Sequence, residues 1–149
     1  MTDAANQPVK TPKHLWVVGL VAVLWNAIGV MDFTLTELKN EAYLKAFTPE
    51  QLACLAGFPL WAVITWGAGV YGGFIGSILL LARQRWAVPV FLVSIIGAVL
   101  TSLYSHVLSD TMKKMGGGTG AVIFSLVIII IAILLWIYAR AMTRRGVLR

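Results

Sequence analysis

Charged residues are scarce in this sequence. Asp, Glu, Lys and Arg make up 12% of its 149 residues, about half of the roughly 25% that is usual in soluble domains. Hydrophobic residues make up 59%, and the mean hydropathy is +0.85. So few polar side chains cannot cover an apolar core with a hydrated surface, which excludes a water-soluble domain. At this length we expect one domain, with no room for a soluble catalytic module beside the apolar runs.

Cysteine is also scarce, since Cys54 is the only one. One thiol allows neither an intramolecular disulfide nor a cysteine metal site, and we expect Cys54 to be a buried small hydrophobic residue. The sequence has no phosphate-binding Gly-Lys-Ser/Thr loop, no histidine cluster with metal-ligand spacing and no serine–histidine–acid set. We therefore expect no enzymatic activity, no cofactor and no metal.

Four stretches without Asp, Glu, Lys or Arg are each long enough for a helix of about 20 residues, the length that crosses a bilayer. They run from Leu15 to Met31, Gln51 to Ala82, Trp86 to Ser109 and Met115 to Ala139. Because backbone amides find no water in hydrocarbon, each stretch predicts a helix. The first lacks a small-residue cleavage motif, so we expect a retained span rather than a signal peptide. The sequence predicts one all-α domain over residues 1–149, a four-transmembrane-helix bundle with spans at about 14–34, 59–82, 86–109 and 119–140.

The basic residues are divided unequally between the two sides of this bundle. One side carries eight, namely Lys10, Lys13, Arg83, Arg85, Arg140, Arg144, Arg145 and Arg149. The other side carries four, namely Lys39, Lys45, Lys113 and Lys114, beside acidic neighbours. Because basic loops stay in the cytoplasm, this division predicts N-in and C-in topology, with cytoplasmic tails at 1–13 and 141–149. Basic residues scattered singly and in pairs indicate orientation in a membrane and no nucleic-acid partner.

The first connection, residues 35–58, is the only long one. Thr48 can cap a helix, Pro49 fits its first turn and Gln51 can complete a capping box, while Gly57 can end that helix. Charged residues mixed with apolar ones before Thr48 suit a membrane interface. The pattern predicts one or two short interfacial helices between the first two spans.

Small residues recur on one face of each of the first three spans. In lipid, such residues mark contacts because they let helix backbones approach closely. The predicted packing residues are Gly29 in the first span and Gly69, Gly72, Gly73 and Gly76 in the second. The third span adds a stripe at helical spacing, made of Ser94, Ala98, Thr101 and Ser105. The fourth span is almost wholly branched aliphatic, which predicts broad exposure to lipid.

Polar side chains converge near the outer ends of the spans. The candidate cluster is Asp32, His106, Asn26, Thr65, Tyr104 and Ser105. Asp32 and His106 could pair and titrate near neutrality, as in proton-linked transport. Alternatively, Asp32 is solvated or caps a turn, and His106 is an interfacial donor. Asn26 lies deeper, where pinning of neighbouring helices is favoured over substrate binding.

Three stretches resemble a known group of proteins. They are Trp25-Asn26 with Gly29 and Asp32-Phe33, the segment from Glu41 to Trp61, and the segment from Arg83 to Pro89. Together they are similar to small bacterial four-helix inner-membrane proteins that carry generic names, sometimes "sugar transporter". The likeness covers residues 15 to 105 and implies a four-span fold in a bacterial plasma membrane.

These features favour a transporter-like membrane protein that acts as an oligomer, since four helices enclose little internal volume. The alternative is a non-catalytic structural or accessory subunit of a larger membrane complex. Expected partners are the lipid bilayer and either further copies of the chain or another membrane protein.

Overall fold

The computed structural model describes residues 9–149, so the first eight residues of the predicted cytoplasmic tail lie outside the described part of the chain. All regular secondary structure in the described part is helical. The elements are α1 (Lys13–Glu37), α2 (Glu41–Leu44), α3 (Pro49–Ala56), α4 (Leu60–Leu81), α5 (Ala87–Leu103), a π-helical turn (Tyr104–Leu108), α6 (Thr111–Lys114) and α7 (Thr119–Arg144).

Four helices are long and apolar enough to cross a membrane. They are α1, α4, α5 together with its π-helical turn, and α7. Their bounds follow the predicted spans closely, except that α1 and α7 continue to Glu37 and Arg144. The predicted all-α fold with four membrane-length helices is confirmed. The hydropathy pattern predicts neither the π-helical turn nor α6.

The first connection contains two short helices, each with a side-chain cap. The Asn40 side chain accepts a hydrogen bond from the Tyr43 backbone N–H at the start of α2. At the start of α3, Thr48 and Gln51 form the predicted capping box, and Pro49 occupies the first turn. Each cap satisfies backbone donors that the first turn of a helix leaves without partners. Cys54, on α3, is only partly buried, because α3 lies at the edge of the bundle.

The spans pack in chain order: α1 against α4, α4 against α5, and α5 against α7. We call the end with the α4–α5 loop, the start of α1 and the end of α7 the basic end, and the end with α2, α3 and α6 the loop end. At the basic end α1 also meets α7, where the rings of His14 and Tyr138 lie 5.7 Å apart, centroid to centroid. Toward the loop end a cavity separates these two helices.

The α4–α5 contact is close enough to require glycine. A Cβ atom on Gly97 would lie 2.5 Å from both the Gly69 nitrogen and the Thr65 carbonyl oxygen. On Gly72 it would lie 3.1 Å from Ser94, and on Gly76 2.8 Å from the Phe91 ring. Gly69, Gly72 and Gly76 thus face α5 and are buried. Gly97 is not among the packing residues predicted from the sequence. Its close contacts are with Gly69 and Thr65 of α4, which the pattern of small residues on α5 does not reveal.

The remaining predicted packing glycines, Gly29 of α1 and Gly73 of α4, lie in the contact between these two helices. A Cβ atom on Gly73 would lie 2.1 Å from Asn26 Oδ1, and one on Gly29 would lie 3.3 Å from Val70. Phe33, further along α1, packs edge-on against Trp66 at a centroid distance of 4.9 Å. The helix α4 therefore presents one glycine-rich side to α5 and a neighbouring side to α1.

An apolar core fills the basic end. It includes Leu15 of α1, Leu80 of α4, Phe91 of α5 and Met142 of α7. The segment after α7 turns back at Gly146, whose φ is +69°, and buries its apolar side chains in the same core. The backbone N–H of Arg149 then donates to the Arg83 carbonyl at 2.9 Å, and the Arg85 N–H donates to the Arg149 carbonyl at 3.0 Å. These contacts close the bundle at this end.

Candidate functional site

A cavity of about 530 Å³ lies between the loop-end halves of the four spans. Its deepest residues include Asn26 and Leu135, and Leu135 also belongs to the core of the basic end. Near the loop end it is bordered by Tyr43 of α2, Met112 of α6 and Met115. The cavity is therefore closed toward the basic end and reaches the segments that connect the spans at the loop end.

Asn26 forms the polar part of the cavity floor. Its Nδ2 donates to the Ala22 carbonyl at 2.8 Å and to Ser77 Oγ at 3.2 Å. The bond from Asn26 to Ser77 ties α1 to α4, and Ser77 Oγ in turn donates to the Gly73 carbonyl within α4 at 2.7 Å. Among the hydrogen bonds of residues 9–149, none reaches Asn26 Oδ1, which leaves one acceptor for a molecule in the cavity.

Asp32 and Tyr43 form the rim of the cavity at the end of α1. The Tyr43 hydroxyl donates a hydrogen bond to Asp32 Oδ1, which joins α2 to α1. Burial, the hydrogen bond to Asp32 and the negative charge of Asp32 raise the pKa of Tyr43 to about 12. Tyr43 therefore stays protonated at neutral pH and keeps donating to the carboxylate.

Hydroxyl groups line the side of the cavity formed by α5. Thr101 Oγ1 donates to the Gly97 carbonyl at 2.8 Å and lies 3.2 Å from Thr65 Oγ1. Ser94 Oγ donates to the Gly69 carbonyl at 2.6 Å, and Ser105 is buried. These bonds use the hydroxyl protons of Ser94 and Thr101, and both oxygens keep the capacity to accept a hydrogen bond.

His106 lies in the π-helical turn and reaches α7. Its Nε2 is 2.9 Å from Ser125 Oγ. The Ser109 N–H donates to the Tyr104 carbonyl at 2.9 Å, five residues back, which is the wide turn of a π-helix. Such turns are often found at functional sites. The contact between His106 and Ser125 holds Ser125, a cavity-lining residue, against the π-helical turn that follows α5.

The structure separates the predicted polar cluster into three parts. Asn26, Asp32 and Ser105 line the cavity. Thr65 and His106 lie behind it and contact lining residues. Tyr104 lies outside, packed against Phe58 at a centroid distance of 5.0 Å.

The hypothesis that Asp32 pairs with His106 is wrong for this structure. Asp32 accepts a hydrogen bond from Tyr43 of α2, and His106 contacts Ser125 of α7. Proton-linked coupling through a direct Asp32–His106 contact therefore has no support in this conformation.

Aromatic and sulfur-containing side chains of the cavity were not predicted. Trp25, Trp66 and Phe124 contribute ring surface, and Met112 and Met115 contribute flexible thioethers near the loop end. Helical spacing could have predicted Trp25 as a lining residue, because Trp25 and Asp32 are seven residues apart and share a face of α1. The lining residues of α6 could not be predicted from helical spacing, since that helix is a single turn.

Among the described residues that line the cavity, Asp32 alone carries a formal charge, and none is a lysine, arginine or histidine. Among residues 9–149 no group of three His, Cys, Asp or Glu side chains is placed to hold a metal ion. The arrangement can accept hydrogen bonds, stack against rings and attract a positive charge.

No family model matches the chain, and neither a curated protein nor a solved structure matches it.

Proposed function

We propose that this chain is a transporter-like membrane protein that binds a small, largely apolar solute, neutral or cationic, in the cavity between its spans. The observation that carries the proposal is the cavity of about 530 Å³ with its mainly apolar lining. Binding sites for small molecules are typically roughly 300–1,000 Å³, lined by apolar and aromatic side chains with a few polar groups. Asn26 Oδ1 and the hydroxyls of α5 are such polar groups.

The charge of the cavity favours a cation over an anion. Asp32 supplies one negative charge at the rim, and an anion would meet no basic side chain there. The rings of Trp25 and Trp66 can bind a quaternary ammonium group through their electron-rich faces. An amphipathic cation with an aromatic or aliphatic body is therefore the best match to this site.

The side from which a solute enters the cavity follows from the closed basic end. A solute reaches the cavity from the loop end or laterally between α1 and α7, because packed side chains fill the other end. We place the basic end in the cytoplasm of a bacterium, on the distribution of lysine and arginine and on the resemblance described above. Release to the cytoplasm then requires α1 and α7 to separate around Leu15 and Met142.

We also propose that the protein acts as a homo-oligomer. The basic half of one copy is filled by its core, so a single bundle contains little space for a continuous pathway. An accessory subunit of a larger complex is the competing function, and it predicts association with a different membrane protein instead.

Binding of a matched pair of probes tests the role of the cavity. Benzyltrimethylammonium and neopentylbenzene have nearly the same shape, and only the first is charged. We expect detergent-purified protein to bind both, with tighter binding of the cation. At about 6 Å and an effective dielectric constant of about 40, attraction to Asp32 is about 1.4 kcal/mol, or about tenfold in affinity. Asp32→Asn should remove the tenfold part of this preference that the carboxylate supplies, while binding of neopentylbenzene persists.

Glu37→Gln is the matched control, because Glu37 ends the same helix, is exposed and does not line the cavity. Loss of the preference in both variants, or in neither, would refute the assignment of Asp32. Uptake of benzyltrimethylammonium into liposomes then separates transport from binding. Inert liposomes together with co-purification of another membrane protein would favour the accessory role.

A further inference from the structure

A groove of about 400 Å³ opens at the basic end between the start of α5 and the end of α7, away from the central cavity. Arginines from both of its sides line it. The residues around the groove are Arg85, Trp86, Val88, Pro89, Arg140, Thr143 and Arg144. Arg85, Arg140 and Arg144 are all exposed, so their guanidinium groups are available to a ligand.

Within residues 9–149, no acidic side chain forms a salt bridge with any of these three arginines. The one salt bridge within residues 9–149 joins Lys113 to Asp110 at the loop end. The acidic residues of the described part all lie at the loop-end side, namely Asp32, Glu37, Glu41, Glu50 and Asp110. Arg140 is held over the Trp136 ring, 4.6 Å from its centroid, which orients its guanidinium group without neutralising it. The groove is therefore a concentrated positive site.

Apolar stripes extend from the groove along both helices toward the middle of the spans. On α5, Val93 and Ile96 follow Pro89 at intervals of four and three residues and are about half exposed. On α7, Ile137 and Ile133 precede Arg140 and Arg144 on the same face at helical spacing, and both are exposed. A molecule with a negative head and an apolar tail matches this combination.

We propose that the groove binds an anionic phospholipid, with its phosphate between Arg85, Arg140 and Arg144 and its acyl chains along the stripes of α5 and α7. Arginine matches phosphate because its planar group can donate two parallel hydrogen bonds. Trp86, which is 64% exposed beside Arg85, lies where indole rings favour the headgroup region. Basic pockets between spans are established binding sites for acidic headgroups. The acyl stripes favour a lipid over free phosphate.

Native mass spectrometry of the purified full chain tests this site. Equal amounts of phosphatidylglycerol and phosphatidylcholine with identical acyl chains are added, and retained lipid adducts are counted. Each arginine near a membrane surface contributes about fivefold in affinity for acidic lipid, so three arginines contribute up to about 100-fold. We expect the native protein to retain phosphatidylglycerol preferentially and Arg85→Gln/Arg140→Gln/Arg144→Gln to lose that preference.

The control variant is Lys45→Gln/Lys113→Gln/Lys114→Gln, which removes the same charge from the loop end. It should keep the preference of the native protein. Equal preference in the arginine variant, or its loss in both variants, would overturn the proposal. Should the triple arginine variant fail to fold, Arg144→Gln alone, at an exposed helix end, should lower the preference about fivefold. Inorganic phosphate should not displace the lipid at millimolar concentration, and displacement would identify a general anion site instead.

Discussion

Alanine at Gly97 should separate α4 from α5. The Cβ atom that this substitution adds would lie 2.5 Å from the Gly69 nitrogen and from the Thr65 carbonyl oxygen. Both are backbone atoms within a helix, so no side-chain rotation can relieve the clash. The helices must move apart, and this movement stretches the 2.6 Å hydrogen bond from Ser94 Oγ to the Gly69 carbonyl.

The expected loss of stability follows from three contributions. Overpacking costs about 1–3 kcal/mol. Because Gly97→Ala clashes with backbone atoms that cannot rotate away, we expect a cost of about 3 kcal/mol. Weakening an interhelical hydrogen bond in a membrane adds about 0.6 kcal/mol. Alanine is favoured over glycine within a helix by about 1 kcal/mol, which offsets part of this cost. The net prediction is a decrease of about 2–3 kcal/mol in the free energy of unfolding.

Gly120→Ala provides the matched control. Gly120 lies within α7, and a Cβ atom there would meet nothing within 4 Å. The same substitution should therefore stabilise the protein by up to about 1 kcal/mol through helix propensity alone. Unfolding of both variants by increasing denaturing detergent in mixed micelles measures the difference. If Gly97→Ala were as stable as the native protein, or if Gly120→Ala lost as much stability, the close α4–α5 contact would be refuted.

Two further predictions concern the hydrogen bonds around the cavity. The pKa of Tyr43 is raised from 10.0 to about 12, so the stability that this shift contributes is fully present below pH 10 and is lost as the pH rises toward 12. Tyr43→Phe has no group that titrates there, so its unfolding free energy should fall less between pH 10 and 12 than that of the native protein, and parallel pH curves would contradict the Tyr43–Asp32 contact. The contact between His106 and Ser125, 2.9 Å long, should give a coupling energy of about 0.6 kcal/mol in a double-mutant cycle of His106→Ala and Ser125→Ala. Strictly additive effects on unfolding would argue against this contact.

The four spans could be predicted from the sequence because hydrocarbon imposes one backbone solution. Each apolar run must satisfy its own hydrogen bonds, and a helix does so within the run. The capping box at Thr48 and Gln51 was equally predictable, since both partners lie within four residues. Local chemistry determines these features, and they need no knowledge of the neighbouring helices.

The side-chain pairs could not be predicted in the same way. Hydropathy gives the height of Asp32 and His106 along the bundle but not the direction in which each points around its helix. The π-helical turn changes the angular position of the residues within it, including His106, so an α-helical spacing rule misplaces this side chain. Tyr43 lies on a helix of four residues, whose placement over the end of α1 depends on tertiary contacts.

The stripe of small residues on α5 has two roles that sequence alone cannot separate. Ser94 donates a hydrogen bond to α4, and it lines the cavity together with Ala98, Thr101 and Ser105. Where a neighbouring helix packs against a small side chain, the two helices can approach closely. Where no helix packs against it, the small side chain leaves open space. At the basic end, Phe91 of α5 and Leu135 of α7 are large side chains that fill that space. The change from large to small inward-facing residues along α5 therefore sets the depth of the cavity, and with it the size of the solute that the bundle can hold.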